Sequence, residues 1–400
     1  MEHKKLPSEI PEDILNQYSP LLKGLKPIEV LGKGGYGSVL MVEFPNKHRA
    51  ALKIFNNTFD TNKDNEKLNK IKKEITIAKN VKSEYFIKTF YSLQPKENNK
   101  QYFGIIMEIA WYKTLNTFIK KFNDREFIYK GNQEKFFWLS NISETIMKFF
   151  ARQIIFAFEF MKRNKMIHLD FKPENILISL YFKIKITDFS LTQIIHDEKE
   201  IIINNATTCY MGKEYYQNNK KKTVKTENAY KIDYFGLGCI LYSMIFKKYL
   251  IPPPPSKDKK YNEKDINKFI EEGKKNLRDC KRISEGLRDL VINLIDDIEK
   301  RKNIEELLKD KWVFPKKKIF RIKNKKIDKD INNDNLNNKN NKNEFEYVYD
   351  EIKEQKKIED INQQDPIKMF IEFNKYAHIK NIKTDKLYYK HKKKFRFKKV

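Results

Sequence analysis

Two stretches of this sequence have the residue types and spacing to handle phosphate. The first, Leu31-Gly32-Lys33-Gly34-Gly35-Tyr36-Gly37-Ser38-Val39, fits G-x-G-x-x-G-x-V. Residues without side chains let the backbone close over phosphate groups, with N–H dipoles aimed at the anion. A glycine turn between two ordinary strands would read alike, and a dinucleotide site shares the three glycines. Two features oppose the dinucleotide reading. The glycines lead into a strand, Val39 to Val42, instead of a helix, and Lys53 follows in Ala51-Leu52-Lys53. A lysine on that next strand can reach the α- and β-phosphates of a nucleotide held under the loop.

The second stretch is the more specific. Ile167-His168-Leu169-Asp170-Phe171-Lys172-Pro173-Glu174-Asn175-Ile176-Leu177 has the spacing H-x-D-x-K-P-x-N. Phosphoryl transfer needs few groups but needs them well placed. Asp170 can take the proton of an attacking hydroxyl, and Lys172 can neutralise the transferring phosphate. Asn175 can hold a metal ion together with Asp188 of Ile186-Thr187-Asp188-Phe189-Ser190.

These groups need elements to carry them. Val39 to Val42 and Ala51 to Ile54 are short apolar runs of the strand type. Lys70 to Val81 carries Ile71, Ile75, Ala78 and Val81 at helical spacing, with Glu74 just ahead of Ile75. From Ser143 onward helical patterns dominate: Ile146 to Met161, Tyr234 to Phe246, Glu285 to Ile295 and Asn303 to Leu308. A strand-rich part followed by a helix-rich part predicts two lobes with a cleft between them.

In this order and spacing the motifs resemble the eukaryotic protein kinase family, serine/threonine type, over residues 27–314. Tyr210-Met211-Gly212-Lys213-Glu214 stands where the family has Y-M-A-P-E. Asp233-Tyr234-Phe235-Gly236-Leu237-Gly238 is similar to its D-x-W-S-L-G helix start, and Lys300 to Leu308 to its closing K-R-P-T-x-E-E-L-L. The resemblance implies a two-lobed α+β fold with a small β-rich lobe and a larger helical lobe. It implies ATP and Mg2+ in the cleft and protein substrates with Ser or Thr hydroxyls. It assigns Lys53 to the ATP phosphates, Glu74 to its ion pair, and Asp170 and Lys172 to catalysis. Leu31, Gly32, Gly34, Gly37, Val39, Ala51, Met107, Glu108 and Ala110 would surround the nucleotide, with Met107 as gate residue and the backbone at Glu108 and Ala110 meeting adenine. Asn175 and Asp188 would hold the metal, and Glu214 with Arg301 would form a buried structural pair. The K-P-E-N segment and Thr207 mark the serine/threonine class.

Three departures from the family pattern stand out. Leu169 replaces an arginine that pairs with an activation-loop phosphate, Ser190 replaces the glycine of D-F-G, and Gly212-Lys213 replaces A-P. The Ser190 change removes a permissive backbone position and is expected to stiffen the metal-binding turn. The departures at Ser190 and Gly212 define an alternative function, a pseudokinase scaffold that binds nucleotide with little catalysis. Retention of Lys53, Glu74, Asp170, Asn175 and Asp188 weighs against it. Lys220-Lys221-Lys222 and Lys225 between Glu214 and Asp233 fit either a preference for acidic substrates or a solvated loop.

Four hundred residues with 40% hydrophobic content support a real core. The net charge of +28 invites a membrane or nucleic-acid reading, and codon-driven Lys and Asn enrichment competes with it. Cys209, Cys239 and Cys280 form no close pair and no metal-ligand spacing, which fits a reducing compartment. The expected location is intracellular, in the cytoplasm with the nucleus as alternative. The expected organisation is a leader (1–26), a kinase domain (27–314), a linker (315–343) and a basic extension (344–400). Eight of the thirteen residues from Ile331 to Asn343 are Asn, too polar to bury a core. Lys375 to Val400 holds eleven Lys or Arg against Asp385 alone, with Phe395 and Phe397 interleaved. That pattern suits an anionic membrane, a nucleic-acid strand or another polyanion, or an acidic protein face. A basic binding protein acting through this tail would account for the charge but not for the motif series.

Overall fold

The computed structural model describes Leu15 and, from Ser19 to Pro315, all residues except 35–36, 56–58, 61–64, 98–99, 124–141, 180–181, 204–206, 217–221 and 257–260. The Asn-rich stretch and the basic extension lie outside the described residues.

A single helical turn, α1 (Ser19–Leu22), precedes the strands β1 (Lys26–Gly34), β2 (Gly37–Glu43) and β3 (Arg49–Phe55). Then come β4 (Phe59–Asp60), helix α2 (Asn65–Asn80), β5 (Thr89–Leu93), β6 (Lys96–Glu97), β7 (Lys100–Gln101) and β8 (Gly104–Met107). Five of these strands make one antiparallel sheet in the order β1-β2-β3-β8-β5, and β4, β7 and β6 make a small second one. The register sets Gly32 opposite Val39, Val39 opposite Lys53, and Ala51 opposite Met107. Nucleotide-binding candidates that lie far apart in sequence thus become neighbours across strands. Leu21, Leu40, Val42, Ala50, Leu52, Ile54 and Ile106 form the core of this small lobe. Helix α2 buries Ile71, Ile75 and Ala78, the apolar positions its sequence spaces at three and four.

The large lobe is helical. Its helices are α3 (Leu115–Asn123), α4 (Glu144–Arg163), α5 (Thr226–Ala229), α6 (Lys231–Phe246), α7 (Glu263–Asp279), α8 (Glu285–Leu294) and α9 (Ile304–Leu307). Ser143 caps α4 by accepting the Ile146 N–H, and Lys162 and Arg163 sit in its last turn, where the helix dipole favours cations. Helix α6 is buried all round, as its unbroken apolar run predicts. Among the described residues no helix is long and apolar enough to cross a membrane. Between α4 and α5 lie six short strands: β9 (Met166–Ile167), β10 (Ile176–Ile178), β11 (Ile184–Ile186), β12 (Gln193–Ile194), β13 (Glu200–Ile202) and β14 (Thr223–Lys225). They pair antiparallel as β10 with β11, β9 with β12, and β13 with β14.

The predicted helices over 70–81, 146–161, 234–246, 285–295 and 303–308 all occur, with ends moved by a few residues. Helices α3 and α7 were not anticipated. The buried stripe of α7 includes Gly273 and Lys274, which interrupt an apolar pattern. A Cβ on Gly273 would lie 2.3 Å from Leu250 Cδ1, and Lys274 is neutralised by Glu271 and Asp296, each at 2.9 Å. Packing and charge pairing, invisible to a periodicity scan, explain both exceptions.

Candidate active site

Strand β3 turns Lys53 inward, where its Nζ lies 2.6 Å from Glu74 Oε1 on α2 and 3.3 Å from Asp188 Oδ1. Burial works against the ammonium, but Glu74 and Asp188 outweigh it and hold the Lys53 pKa above the ordinary lysine range. Burial alone would raise the Asp188 pKa. Lys53, the Ser190 N–H and His168 outweigh it and hold that carboxyl below the ordinary aspartate value. Three distant parts of the chain thus share one ion cluster at the boundary of the lobes. Breaking it would leave buried charge uncompensated.

The loop from His168 to Asn175 is held mainly by its own atoms. Asn175 Nδ2 donates to both the carbonyl and Oδ2 of Asp170, each at 2.9 Å. Lys172 Nζ lies 2.7 Å from Asp170 Oδ2, and the Thr207 hydroxyl donates to Asp170 Oδ1 at 2.6 Å. Lys172 also donates to Thr207 Oγ1 at 2.7 Å, closing a three-membered cluster. His168 Nε2 donates to the Thr187 carbonyl at 3.0 Å, which leaves Nδ1 to accept the Asp170 N–H at 3.3 Å. Phe189, next to Asp188, packs against Phe86 and His168 with ring centroids 6.1 and 6.2 Å away.

One contributor was not recognised as such in the sequence. Asp233, in the first turn of the buried α6, accepts the His168 N–H at 2.8 Å and the Leu169 N–H at 2.9 Å. Leu169 stands at φ +62°, a costly conformation for a leucine, and these two bonds hold it there. Burial pushes the Asp233 pKa up to about 6, against the pull of His168 and the two N–H groups. An acidic residue heading an apolar helix was the available signal.

The nucleotide-binding candidates collect on the sheet and the segment that leaves it. Leu31 is exposed near the end of β1, where Gly32 and Gly34 also sit. Gly37 and Val39 lie on β2, Ala51 beside Lys53 on β3, and the buried Met107 ends β8. Gly37 is required by the protein itself, since a Cβ there would lie 2.0 Å from the Ile54 carbonyl oxygen. Gly32 is not: a Cβ would meet nothing within 4 Å. An open position of this kind is where a ligand, not the fold, has use for a glycine. Glu108 donates its N–H to the Lys88 carbonyl at 2.9 Å, while its carboxylate takes the Lys88 N–H and Lys185, both at 2.8 Å. That leaves the Glu108 carbonyl as the backbone atom a base could meet; Ala110 follows two residues on, half-buried.

The donor set suits Mg2+, a hard cation that prefers oxygen and keeps substrate phosphates among its ligands. The Asn175 Nδ2 is committed to Asp170, so its Oδ1 faces outward from that contact as an acceptor. Asp188 Oδ1 meets Lys53 and the Ser190 N–H, leaving Oδ2. Among the described residues no group of three or more His, Cys, Asp or Glu could hold a metal by itself.

Glu214 and Arg301 form a bidentate pair at 2.7 and 2.9 Å, with the Arg301 side chain fully buried. Gly212 makes room for it. A Cβ there would sit 2.3 Å from Arg301 Nη2 and 2.4 Å from Glu214 Oε2. Lys213, where the family has proline, pairs with Asp297 at 2.5 Å. Of the basic stretch, Lys220 and Lys221 lie outside the described residues, and Lys225 ends a strand that neither reading of the stretch foresaw.

A family model for the protein kinase domain matches residues 25–313. The chain is 27% identical over 305 residues to a probable serine/threonine-protein kinase PLK of Dictyostelium discoideum, covering 76% of this chain and 27% of that protein. It is 27% identical over 293 residues to the carbon catabolite-derepressing protein kinase of Candida glabrata, covering 71% and 40%. With the human 3-phosphoinositide-dependent protein kinase 1 it shares 26% identity over 218 residues, 54% of this chain and 34% of that protein. The chain therefore spans well under half the length of these relatives. With a domain match over most of its length, the chain belongs to the protein kinase family.

Proposed function

We propose that this chain transfers the γ-phosphoryl group of ATP to Ser or Thr hydroxyls of protein substrates. The observation that carries the reading is the Asp170 carboxylate, held between Lys172 at 2.7 Å and Thr207 at 2.6 Å. Asp170 accepts the proton of the incoming hydroxyl, as its fixed position beside the loop backbone allows. Lys172, on the same carboxylate, brings positive charge to the phosphoryl group in flight. Lys53, steadied by Glu74, aligns the phosphates of the nucleotide, and the glycine-rich strands cover them. Mg2+, held by Asn175 and Asp188 when bound, neutralises charge on those phosphates.

The test is transfer of labelled phosphate from Mg-ATP to a mixed Ser/Thr/Tyr peptide library, followed by phosphoamino acid identification. Phosphoserine and phosphothreonine are expected. ATP binding with no transfer would replace this reading by the scaffold one, and phosphotyrosine alone would overturn the substrate class.

A further inference from the structure

The segment from Asp188 to Glu214 must be held in place for Thr207 to reach Asp170 and Lys172. Its start is fixed by β12, whose Gln193 and Ile194 pair with Ile167 and Met166, and by the Ile195 N–H, which donates to Lys165 at 2.6 Å. Its end is fixed by the Glu214–Arg301 pair. Its middle is fixed by a ladder with a stretch that follows it in the chain. Strand β13 pairs antiparallel with β14, setting Glu200 opposite Lys225, Ile201 opposite Val224 and Ile202 opposite Thr223.

The ladder extends beyond the two strands. The Ile203 N–H donates to the Lys222 carbonyl at 2.8 Å, and the Thr226 N–H donates to Lys199 at 3.0 Å. In an antiparallel register hydrogen-bonded pairs alternate, so 199/226, 201/224 and 203/222 are the bonded ones. The Thr226 hydroxyl adds a bond to the Glu198 carbonyl at 2.5 Å, and Gln193 Nε2 reaches the Ile202 carbonyl at 2.9 Å. Ile201 and Val224, directly opposite, are both buried, as is Ile203. The 203/222 pair closes the base of a loop that carries Thr207. Fixing that base lowers the entropy lost when Thr207 docks on Asp170.

A phosphate orders such a segment by pairing with cations, above all arginine. Beside Asp170 the chain has Leu169, only 1% exposed, and its N–H is committed to Asp233. Thr192 is likewise 1% exposed, closed to a modifying enzyme in this arrangement. We propose that residues 222–226 act as an intramolecular strap, with Thr226 as a positioning residue, holding the stretch that carries Thr207 against Asp170 and Lys172. The proposal rests on the kinase reading above and deepens it: the strap does for this segment what a phosphate would otherwise do.

The test compares phosphatase-treated full-length wild type with Val224→Pro, Thr226→Val and Thr226→Ser, by amide hydrogen exchange and by steady-state kinetics on a Ser/Thr peptide. Val224→Pro removes the N–H that pairs with Ile201. It should speed exchange of the Ile203 and Thr226 amides and lower kcat, each by about tenfold, the equivalent of one or so hydrogen bonds. KM for ATP should stay unchanged, because Lys53 and Glu74 are untouched. Thr226→Val should shift both readouts the same way by a smaller factor, and Thr226→Ser should restore them. If Val224→Pro does not fold, the Thr226 pair of variants decides. Rapid exchange of these amides in wild type overturns the proposal, as does unchanged kcat in variants whose amides have been released. Wild type that binds ATP, protects the amides and transfers no phosphate overturns the kinase reading instead, and leaves the strap supported by exchange.

Discussion

The loop from His168 to Asn175 and the segment after Asp188 meet at one carboxylate yet are built in opposite ways. The loop closes on itself: Asn175 reaches Asp170 from five residues away, and His168 takes the Asp170 N–H from two. From farther off come Asp233, on the His168 and Leu169 N–H groups, and Thr207, where the later segment meets Asp170. The later segment is pinned at each point by something remote: Lys165, the strand Thr223–Lys225, and Arg301, which lies 87 residues from Glu214. Local contacts cost little loop entropy, so residue spacing alone can encode them. Remote pairings follow from the packing of the whole lobe, and no short spacing writes them down.

The largest effect should come from breaking the self-contained side. Asp170→Asn keeps the size and the Asn175 bond but removes the carboxylate proposed to accept the proton, and should lower kcat by about 10² to 10⁴. Lys53→Met should cost about 10² to 10³. Asp170→Asn should leave thermal unfolding nearly unchanged, whereas Lys53→Met leaves the buried Glu74 and Asp188 without their cation and should lower stability as well. Radiometric transfer and a melt on the same preparations check the pair of expectations. If either variant keeps near-wild-type transfer, the loop is not where the chemistry resides.

Next comes the remote side. Arg301 donates to Glu214, to the Asp296 carbonyl at 2.8 Å and to the Lys231 carbonyl at 3.0 Å, with its guanidinium 4.8 Å from the Phe235 ring centre. Arg301→Met leaves the Glu214 carboxylate buried without its partner and should cost about 3 to 5 kcal/mol of stability. Urea unfolding measures this. A loss below about 1 kcal/mol would mean that the segment's end is held by something else.

How much of this could be read from the sequence follows the same division. The three glycines, Lys53 and the run from His168 to Asn175 announced themselves by type and spacing. Glu74 needed the family resemblance, because only tertiary packing brings α2 to β3. Asp233 was quoted as part of a helix start, and its task became visible only when the Leu169 backbone at φ +62° was found leaning on it. The β13–β14 ladder was not legible at all. Glu-Ile-Ile and Thr-Val-Lys are too short for a strand pattern, and Lys220-Lys221-Lys222 drew attention to charge instead.

Asp233 links the two regions and gives a prediction in pH. Its native pKa of about 6 stands above the ordinary aspartate value of 3.8. Between those values the native protein holds a proton that the unfolded chain has released, so stability from this group declines as pH rises through 6. From pH 5 to pH 7 the decline is about 1 kcal/mol. Asp233→Asn cannot titrate and should lack that component, although it is less stable at both pH values because its amide nitrogen cannot accept one of the two N–H groups. Urea unfolding of both proteins at pH 5 and pH 7 should show the gap between them narrowing at the higher pH. A gap that does not narrow would mean that Asp233 is ionised in the native protein at both pH values.

The smallest effect tests the expectation that Ser190 stiffens the turn after Asp188. The left-handed residue in that turn is Asp188 itself, at φ +68°, whereas Ser190 has a negative φ that any residue adopts. A glycine is therefore not demanded at 190. What Ser190 supplies is its N–H, which donates to Asp188 Oδ1 at 3.4 Å, and a glycine supplies the same group. Ser190→Gly should then leave the Asp188–Lys53 contact in place and change kcat by no more than about twofold, well short of losing one hydrogen bond. Stability should fall by roughly 0.5 to 1 kcal/mol, because glycine gives the unfolded chain more freedom to lose. Kinetics at saturating ATP alongside urea unfolding separate the two effects. A rise in kcat of tenfold or more would show that serine restrains the turn through its side chain, and would move the departure at 190 from a tolerated change to a brake on the enzyme.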